Sequence, residues 1–288
     1  MNAINYLDDI KDLNVLVIGE TIIDEYQYGY TLGKAGKFPI VAFQNQEREV
    51  YPGGVMAIRR HLKDFCNVRC YTSEKTIRKK RYVQNGQKLF ETYTYDKISH
   101  YDKALTKKPN IEDYDMVIVA DFGHGFITKK LREEIQEKAK WIALNTQSNA
   151  GNMGMNTINK YDKWDYVCID ENELRLATSN QYDDIENIAK KRFNPPQVAS
   201  ITLSKKGTMI YKDKKITHIK ALIDNPIDTV GAGDAYLAIT SPLAYNKAPP
   251  NIIGYIGNVA GAIACSYQGN KDSVHKIAIL EYFRRNDG

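Results

Sequence analysis

Cysteine is scarce. The 288 residues hold four, at positions 66, 70, 168 and 265, too few and too scattered for a disulfide scaffold. Cys66 and Cys70 lie four apart, but no Cys or His pair with zinc spacing follows them, so a closed four-ligand metal site is not expected. No apolar run approaches the ~20 residues that a membrane span needs. The opening MNAINYLDDIKDLN lacks the basic start and apolar core of a secretory leader, so a cytoplasmic protein with no membrane partner is expected. Charge of one sign is also lacking: 40 Lys and Arg face 35 Asp and Glu. The resulting +5 suits an anionic substrate and does not demand nucleic acid. No repeat period underlies the 20 tyrosines.

What is present is an alternation of short apolar runs with amphipathic stretches. Residues 14–18, 116–120, 141–144, 166–169 and 198–203 read as strands. Between them, residues 128–140 align Leu131, Ile135 and Ala139 on one helical face. Residues 183–193 open on Asp183 and Glu186 at the spacing of a capping box. Residues 208–211 and 216–219 read as a hairpin. Residues 249–269 read as a long helix, with Ile252, Ile256, Val259 and Ile263 as its buried stripe. Strand and helix in alternation indicate an α/β fold, a mostly parallel sheet covered on both faces. Residues 25–51 and 76–95 break the rhythm with period-two patterns and no long helix, which predicts a small separate β-sheet. In the second of them Lys79, Arg81 and Val83 share one side, and Lys80 and Tyr82 the other.

The chemistry concentrates at residues 228–234, Asp-Thr-Val-Gly-Ala-Gly-Asp, just before the apolar run 235–239. Small residues let a backbone approach a ligand, and a helix starting here would aim unpaired N–H groups at it. Such a mouth holds developing negative charge on a phosphoryl group, and Asp234 in its first turn could take a proton from an attacking hydroxyl. Taken alone, the segment also fits a tight turn with a helix-capping aspartate.

DTVGAGD matches the C-terminal signature of the ribokinase/PfkB carbohydrate kinases, and further segments resemble that family in order: VLVIGETIIDEYQY at 15–28, YPGG at 51–54, VIVADFGHG at 117–125 and TLSKKG at 202–207. The resemblance runs from about residue 14 to 275, nearly the whole chain, and leans toward heptose-7-phosphate kinase-like modules of surface-polysaccharide synthesis. It implies one ribokinase-like three-layer α/β/α kinase domain over 1–288 with a β-sheet lid, using ATP and Mg2+ on a sugar or sugar phosphate. Asp234 would be the general base, with Gly231, Ala232 and Gly233 donating N–H groups to the phosphoryl. Asp24 would grip a sugar diol beside Gly53 and Gly54. Asp121, Gly123 and Gly125 would form the opposite wall. Asp170 and Glu173 stand where the family has an Asn-x-x-Glu motif that orders water around magnesium. Thr202, Lys205 and Gly207 would flank the ATP phosphates, with Asn258 near adenine. The loop around Asp228 and Gly269 resembles monovalent-cation sites that take K+. A homodimer through the lid is implied as well.

Several roles stay open on the residues. Asp121 could instead cap a turn, and the acidic run at 170–173 could be solvated. Lys79 and Arg81 could meet a phosphate on the sugar, or the run at 78–81 could be a charged strand edge. Asn145 could contact substrate or belong to an ordinary polar loop, and His124 could shuttle a proton or line the pocket. Two departures from the pattern are visible. A peripheral βα stretch before residue 76 is missing, which predicts a narrower central sheet. Val55, Met56 and Ala57 follow the glycine pair where many members place an asparagine that contacts the sugar. These departures motivate an alternative reading, a non-catalytic sugar- or nucleotide-sensing module.

Overall fold

The computed structural model describes residues 3–97, 103–223 and 225–286. Strands, in chain order, are β1 (Asn14–Gly19), β2 (Thr21–Lys34), β3 (Val41–Gly54), β4 (Asn67–Tyr71), β5 (Lys75–Gln84), β6 (Gln87–Lys97), β7 (Met116–Asp121), β8 (Ile142–Thr146), β9 (Tyr166–Asp170), β10 (Val198–Thr202), β11 (Thr208–Lys212) and β12 (Lys215–Ile219). Helices are α1 (Ala3–Asp8), α2 (Val55–Leu62), α3 (Lys129–Lys138), α4 (Glu171–Thr178), α5 (Ile185–Arg192), α6 (Ala232–Tyr245), α7 (Pro250–Ala264) and α8 (Lys276–Asn286).

The expected α/β/α architecture is present. Eight strands form a central sheet in the order β12-β11-β10-β9-β8-β7-β1-β4, parallel from β10 to β4 and antiparallel at the β11–β12 hairpin. Alternation sorts its side chains between two cores. Val15 and Val17 of β1 join α2, α6 and α7 on one face, while Leu16 and Ile18 join α3, α4 and α5 on the other. The chain passes from β4 to β5 across only three residues, as the missing βα stretch predicts.

The second sheet holds four strands in the order β3-β2-β5-β6, longer at both ends than the sequence pattern indicates. Strand β2 leaves β1 after the single residue Glu20, and β3 returns into α2 at Gly54. That return needs a glycine: Gly54 has φ +60°, and a Cβ there would lie 2.4 Å from the Glu20 carbonyl oxygen.

Two local expectations are corrected. Asp184, not Asp183, caps α5, accepting from the Glu186 and Asn187 N–H groups, and the capping box forms instead at Asp170 and Glu173 of α4. Helix α7 stops at Ala264, five residues before Gly269, and Ile252 and Ile263 are only partly buried. Its packed face is Ile253, Gly254, Ile256, Gly257, Val259 and Ala260; Gly257 lets it close on α6, and Gly254 on the β11–β12 hairpin. A Cβ on Gly257 would lie 2.5 Å from the Tyr236 ring. Substituting Gly257→Leu should overpack this contact and cost about 1–3 kcal/mol; a thermal unfolding midpoint lower by several degrees is the expected reading.

Candidate functional site

Residues at the C-terminal ends of parallel strands β1, β7, β8, β9 and β10 converge where the lid sheet meets the central one, the usual binding crevice of open α/β sheets. Two adjoining cavities lie there. One of about 330 Å³ is walled by Asp24, Lys79, Arg81, Asn145, Asp234 and Asn270. The other, about 380 Å³, is walled by Thr202, Lys205, Gly207, Asn258, Ala262 and Cys265. They meet along Asp170, Thr202, Thr229 and Gly233.

Helix α6 opens onto this junction. Gly231 caps it in the left-handed region at φ +85°. The helix start leaves the N–H groups of Gly233 and Asp234 without intrahelical acceptors, whereas the Ala232 N–H turns to the Thr229 carbonyl at 3.3 Å. The Asp234 carboxyl accepts no hydrogen bond from the described residues. Burial, then the charge of Asp24, pushes its pKa up to about 7, and Lys79 opposes the shift.

Asp24 is buried at the base of the lid. Its carboxylate accepts from Arg81 Nη1 at 2.6 Å and from Asn270 Nδ2 at 2.9 Å. Gly53 lies directly beneath: a Cβ there would stand 2.3 Å from Asp24 Oδ2. The alternation expected along residues 79–83 holds. Arg78 and Lys80 pair with Glu25 at 2.8 and 3.2 Å, away from the cavity that Lys79 and Arg81 enter. Arg81 is committed to Asp24, but the buried Lys79 ammonium has only the Tyr93 ring, 5.5 Å from its centroid, as a close partner among the described residues. Burial lowers the Lys79 pKa, and Asp24 counteracts this.

Asp228, the first residue of the heptapeptide, latches the loop to the lid. It accepts from Lys88 Nζ at 2.5 Å and Tyr26 Oη at 2.9 Å, and from the Val230 and Gly269 N–H groups at 3.1 Å each. On the opposite side the loop at 122–126, after β7, is held by Glu20, whose carboxylate accepts from the N–H groups of Phe122, His124 and Phe126. Asp121 does not reach the cavity. It is buried against the Tyr161 hydroxyl and the Lys160 ammonium, each at 2.5 Å, and accepts the Gly123 N–H at 3.1 Å. Of the two readings left open, Asp121 is the turn former. Gly123, at φ +74°, packs on Asn152 and Asn156 and likewise stays outside the cavity wall. His124 packs between the Tyr93 and Tyr95 rings of β6, and burial lowers its pKa to about 4.

On the second cavity, Gly207 at φ +93° is obligatory, since a Cβ would meet the Ile219 carbonyl at 2.0 Å. The Asn258 amide is spent on Thr208 Oγ1 and on the Ile219 and Lys220 carbonyls, so it shapes the wall rather than presenting a free donor. Asn145 donates to the Cys168 carbonyl at 2.8 Å. Asp170 and Glu173 form the capping box, and Glu173 also accepts the Ser148 N–H at 2.9 Å. Burial first, then Asp170, raises the Glu173 pKa. Asn270, Lys88 and Tyr26 join the site without a signal of their own in the sequence. Asn270 stands in a polar turn with no local pattern, and only its place next to Gly269 hints at it. Carbon-13 NMR of the Asp234 carboxyl should show a midpoint near 7, and Lys79→Met should move it to higher pH because a neighbouring cation has been removed.

The model of the pfkB family of carbohydrate kinases matches residues 66–277. The bifunctional protein HldE of Syntrophotalea carbinolica is 21% identical over 340 residues, with 98% of this chain covered and 66% of that protein. HldE of Aliarcobacter butzleri is 22% identical, covering 90% and 62%. The chain thus spans just under two thirds of the length of the curated relatives it matches. Among solved structures, ribokinase from Thermotoga maritima superposes with a TM-score of 0.71 at 15% identity, covering 95% of this chain and all of that one. Ribokinase from Arabidopsis thaliana, solved with ribose and ATP, gives 0.67 at 13%, covering 94% and 98%. The eight-stranded sheet with its four-stranded lid is a ribokinase-like fold. With the family model covering most of the sequence, this chain belongs to the pfkB family of carbohydrate kinases.

Proposed function

We propose that the protein transfers the γ-phosphoryl of ATP to a hydroxyl of a sugar or sugar phosphate, with Asp234 as general base, and that the two sheets act as one kinase domain. The observation that carries this reading is the position of Asp234: a carboxyl with no hydrogen-bond partner among the described residues and pKa about 7, in the first turn of α6, on the wall of one cavity and next to Gly233, where the two cavities meet. The acceptor would occupy the cavity walled by Asp24 and Asn270, and the nucleotide the one walled by Thr202, Lys205 and Gly207. As the acceptor oxygen bonds to the γ-phosphorus, its proton passes to Asp234 and the bond to the β-phosphate oxygen breaks, releasing ADP. The free N–H groups at the α6 start would stabilise the charge on the transferring group. The lid would exclude water from it.

Asp170 and Glu173 suit magnesium held through water. Both oxygens of Glu173 already accept backbone N–H groups, leaving lone pairs for ordered water rather than direct ligation, and the raised Glu173 pKa reflects a carboxyl that a nearby cation would keep ionised. When bound, the ion would screen the phosphate charges. Potassium at the 228–269 loop would have to share Asp228 with the Lys88 ammonium. The unmatched Lys79 ammonium supports an acceptor that already carries an anionic group. The relatedness to HldE supports a heptose phosphate and a place in surface-polysaccharide synthesis. No helix among the described residues is long and apolar enough to cross a membrane, and a cytoplasmic setting is part of the proposal.

Mass spectrometry across sugars and sugar phosphates with Mg-ATP should find one acceptor gaining a single phosphate. Asp234→Asn should lower kcat on it by several decades, roughly the general-base and positioning effects together, while ATP still binds. Binding without turnover on every candidate would favour the sensing module instead. The lid also exposes Leu32, Phe38, Ile40 and Val41, which supports pairing with a second copy through this sheet. Light scattering should give a dimer, and the double variant Leu32→Glu, Ile40→Glu a monomer.

A further inference from the structure

The chain lacks an amide after its glycine pair, where Val55, Met56 and Ala57 stand, yet an amide stands beside Asp24 in the cavity. It comes from the other end of the sequence. Asn270 is buried, and its backbone carbonyl accepts from Arg60 Nη1 at 2.8 Å, which fixes the turn that carries it. Its side chain lies between the two glycine motifs. A Cβ on Gly53 would stand 3.2 Å from Asn270 Nδ2, and one on Gly231 only 2.3 Å from Asn270 Oδ1. A side chain on Gly231 would collide with this amide, and one on Gly53 would crowd it and collide with Asp24. Nδ2 donates to Asp24 Oδ2 at 2.9 Å, whereas Oδ1 accepts no hydrogen bond from the described residues, on a side chain that lines the cavity.

We infer that Asn270 sets acceptor specificity: it holds the Asp24 carboxylate in register with Arg81 and presents its Oδ1 to an acceptor hydroxyl, replacing the amide missing after the glycine pair. This rests on the kinase reading for the identity of the cavity. The physical argument is one of inventory. A carboxylate shared between a guanidinium and an amide has fixed lone pairs left for a ligand, and a hydroxyl bridging Asp24 and Oδ1 can donate to one and be oriented by both. A ligand lacking that hydroxyl would leave buried polar groups unpaired, the strongest basis for discrimination in such a site.

Asn270→Asp keeps the shape of the side chain but sets a second carboxylate against Asp24; Asn270→Ala removes both contacts. At pH 8 each variant should raise the acceptor KM about ten- to a hundredfold, the usual consequence of losing a hydrogen bond to a charged group, while the ATP KM stays within about twofold. As pH falls, the carboxyl introduced by Asn270→Asp takes up a proton and regains a donor toward Asp24. Acceptor affinity of Asn270→Asp should therefore recover toward that of wild type at the same pH, and Asn270→Ala should not. Calorimetry of acceptor binding without nucleotide reads the same affinities independently of phosphoryl transfer. Unchanged acceptor affinity in both variants, or acceptor and ATP KM rising together, overturns the inference and leaves the kinase reading intact. Wild-type protein that binds an acceptor in an Asn270-dependent way but never phosphorylates it removes the kinase reading and leaves this one.

Discussion

Two carboxylates, Asp24 and Asp234, face one cavity, and much of the surrounding structure manages their repulsion. Asp24 is neutralised by Arg81 and held by Asn270; Asp234 has no such partner among the described residues, and burial first, then the charge of Asp24, raises its pKa. Lys79, placed where both carboxylates feel it, restrains that rise. The division of labour follows from environment alone, since the side chains are chemically identical. One is paired and stays an acceptor of hydrogen bonds. The other sits near the pKa at which a proton can be taken and returned.

The lid and the central body are joined at the same place. Asp228 ties Tyr26 of β2 and Lys88 of β6 to the loop that opens α6, and Asn270, which donates to Asp24 of β2 and packs against Gly231, follows Gly269, whose N–H donates to Asp228. Any movement of the lid sheet is therefore coupled to the mouth of the helix. Because both latches are charge-assisted and largely buried, they strengthen as water leaves the cleft. The geometry around Asp24 and the geometry at the start of α6 are thus set at one place rather than separately.

The α/β order, the separate sheet, the heptapeptide and the facing of Lys79 and Arg81 are legible in the sequence because each is a local pattern: period, turn chemistry or motif. What is not legible depends on distant partners. Asp121 reads as a pocket residue until Tyr161 and Lys160, some forty positions away, are seen to occupy it. The α5 cap lies one residue from the expected position because Asp183 and Asp184 are adjacent and equally able to cap, and Asp183 is taken up by Asn180 instead. Helix α7 is shorter than its apolar pattern because that pattern does not announce that Cys265 starts a turn. Asn270 is silent for the same reason: its meaning lies in Gly53 and Gly231, which share no sequence neighbourhood with it.

The basic run at 78–81 shows how charge becomes informative only after pairing is known. Glu25 absorbs Arg78 and Lys80 on one side of β5, and Asp24 absorbs Arg81 on the other. Of four consecutive cations, Lys79 alone has no carboxylate partner among the described residues, and it is buried and lines the cavity. A surface made for a polyanion would do the reverse, leaving its exposed cations free and neutralising none of them with buried carboxylates. Burying an ammonium without an anion is costly, so its retention beside Asp24 and Asp234 makes sense if a charged ligand completes the site.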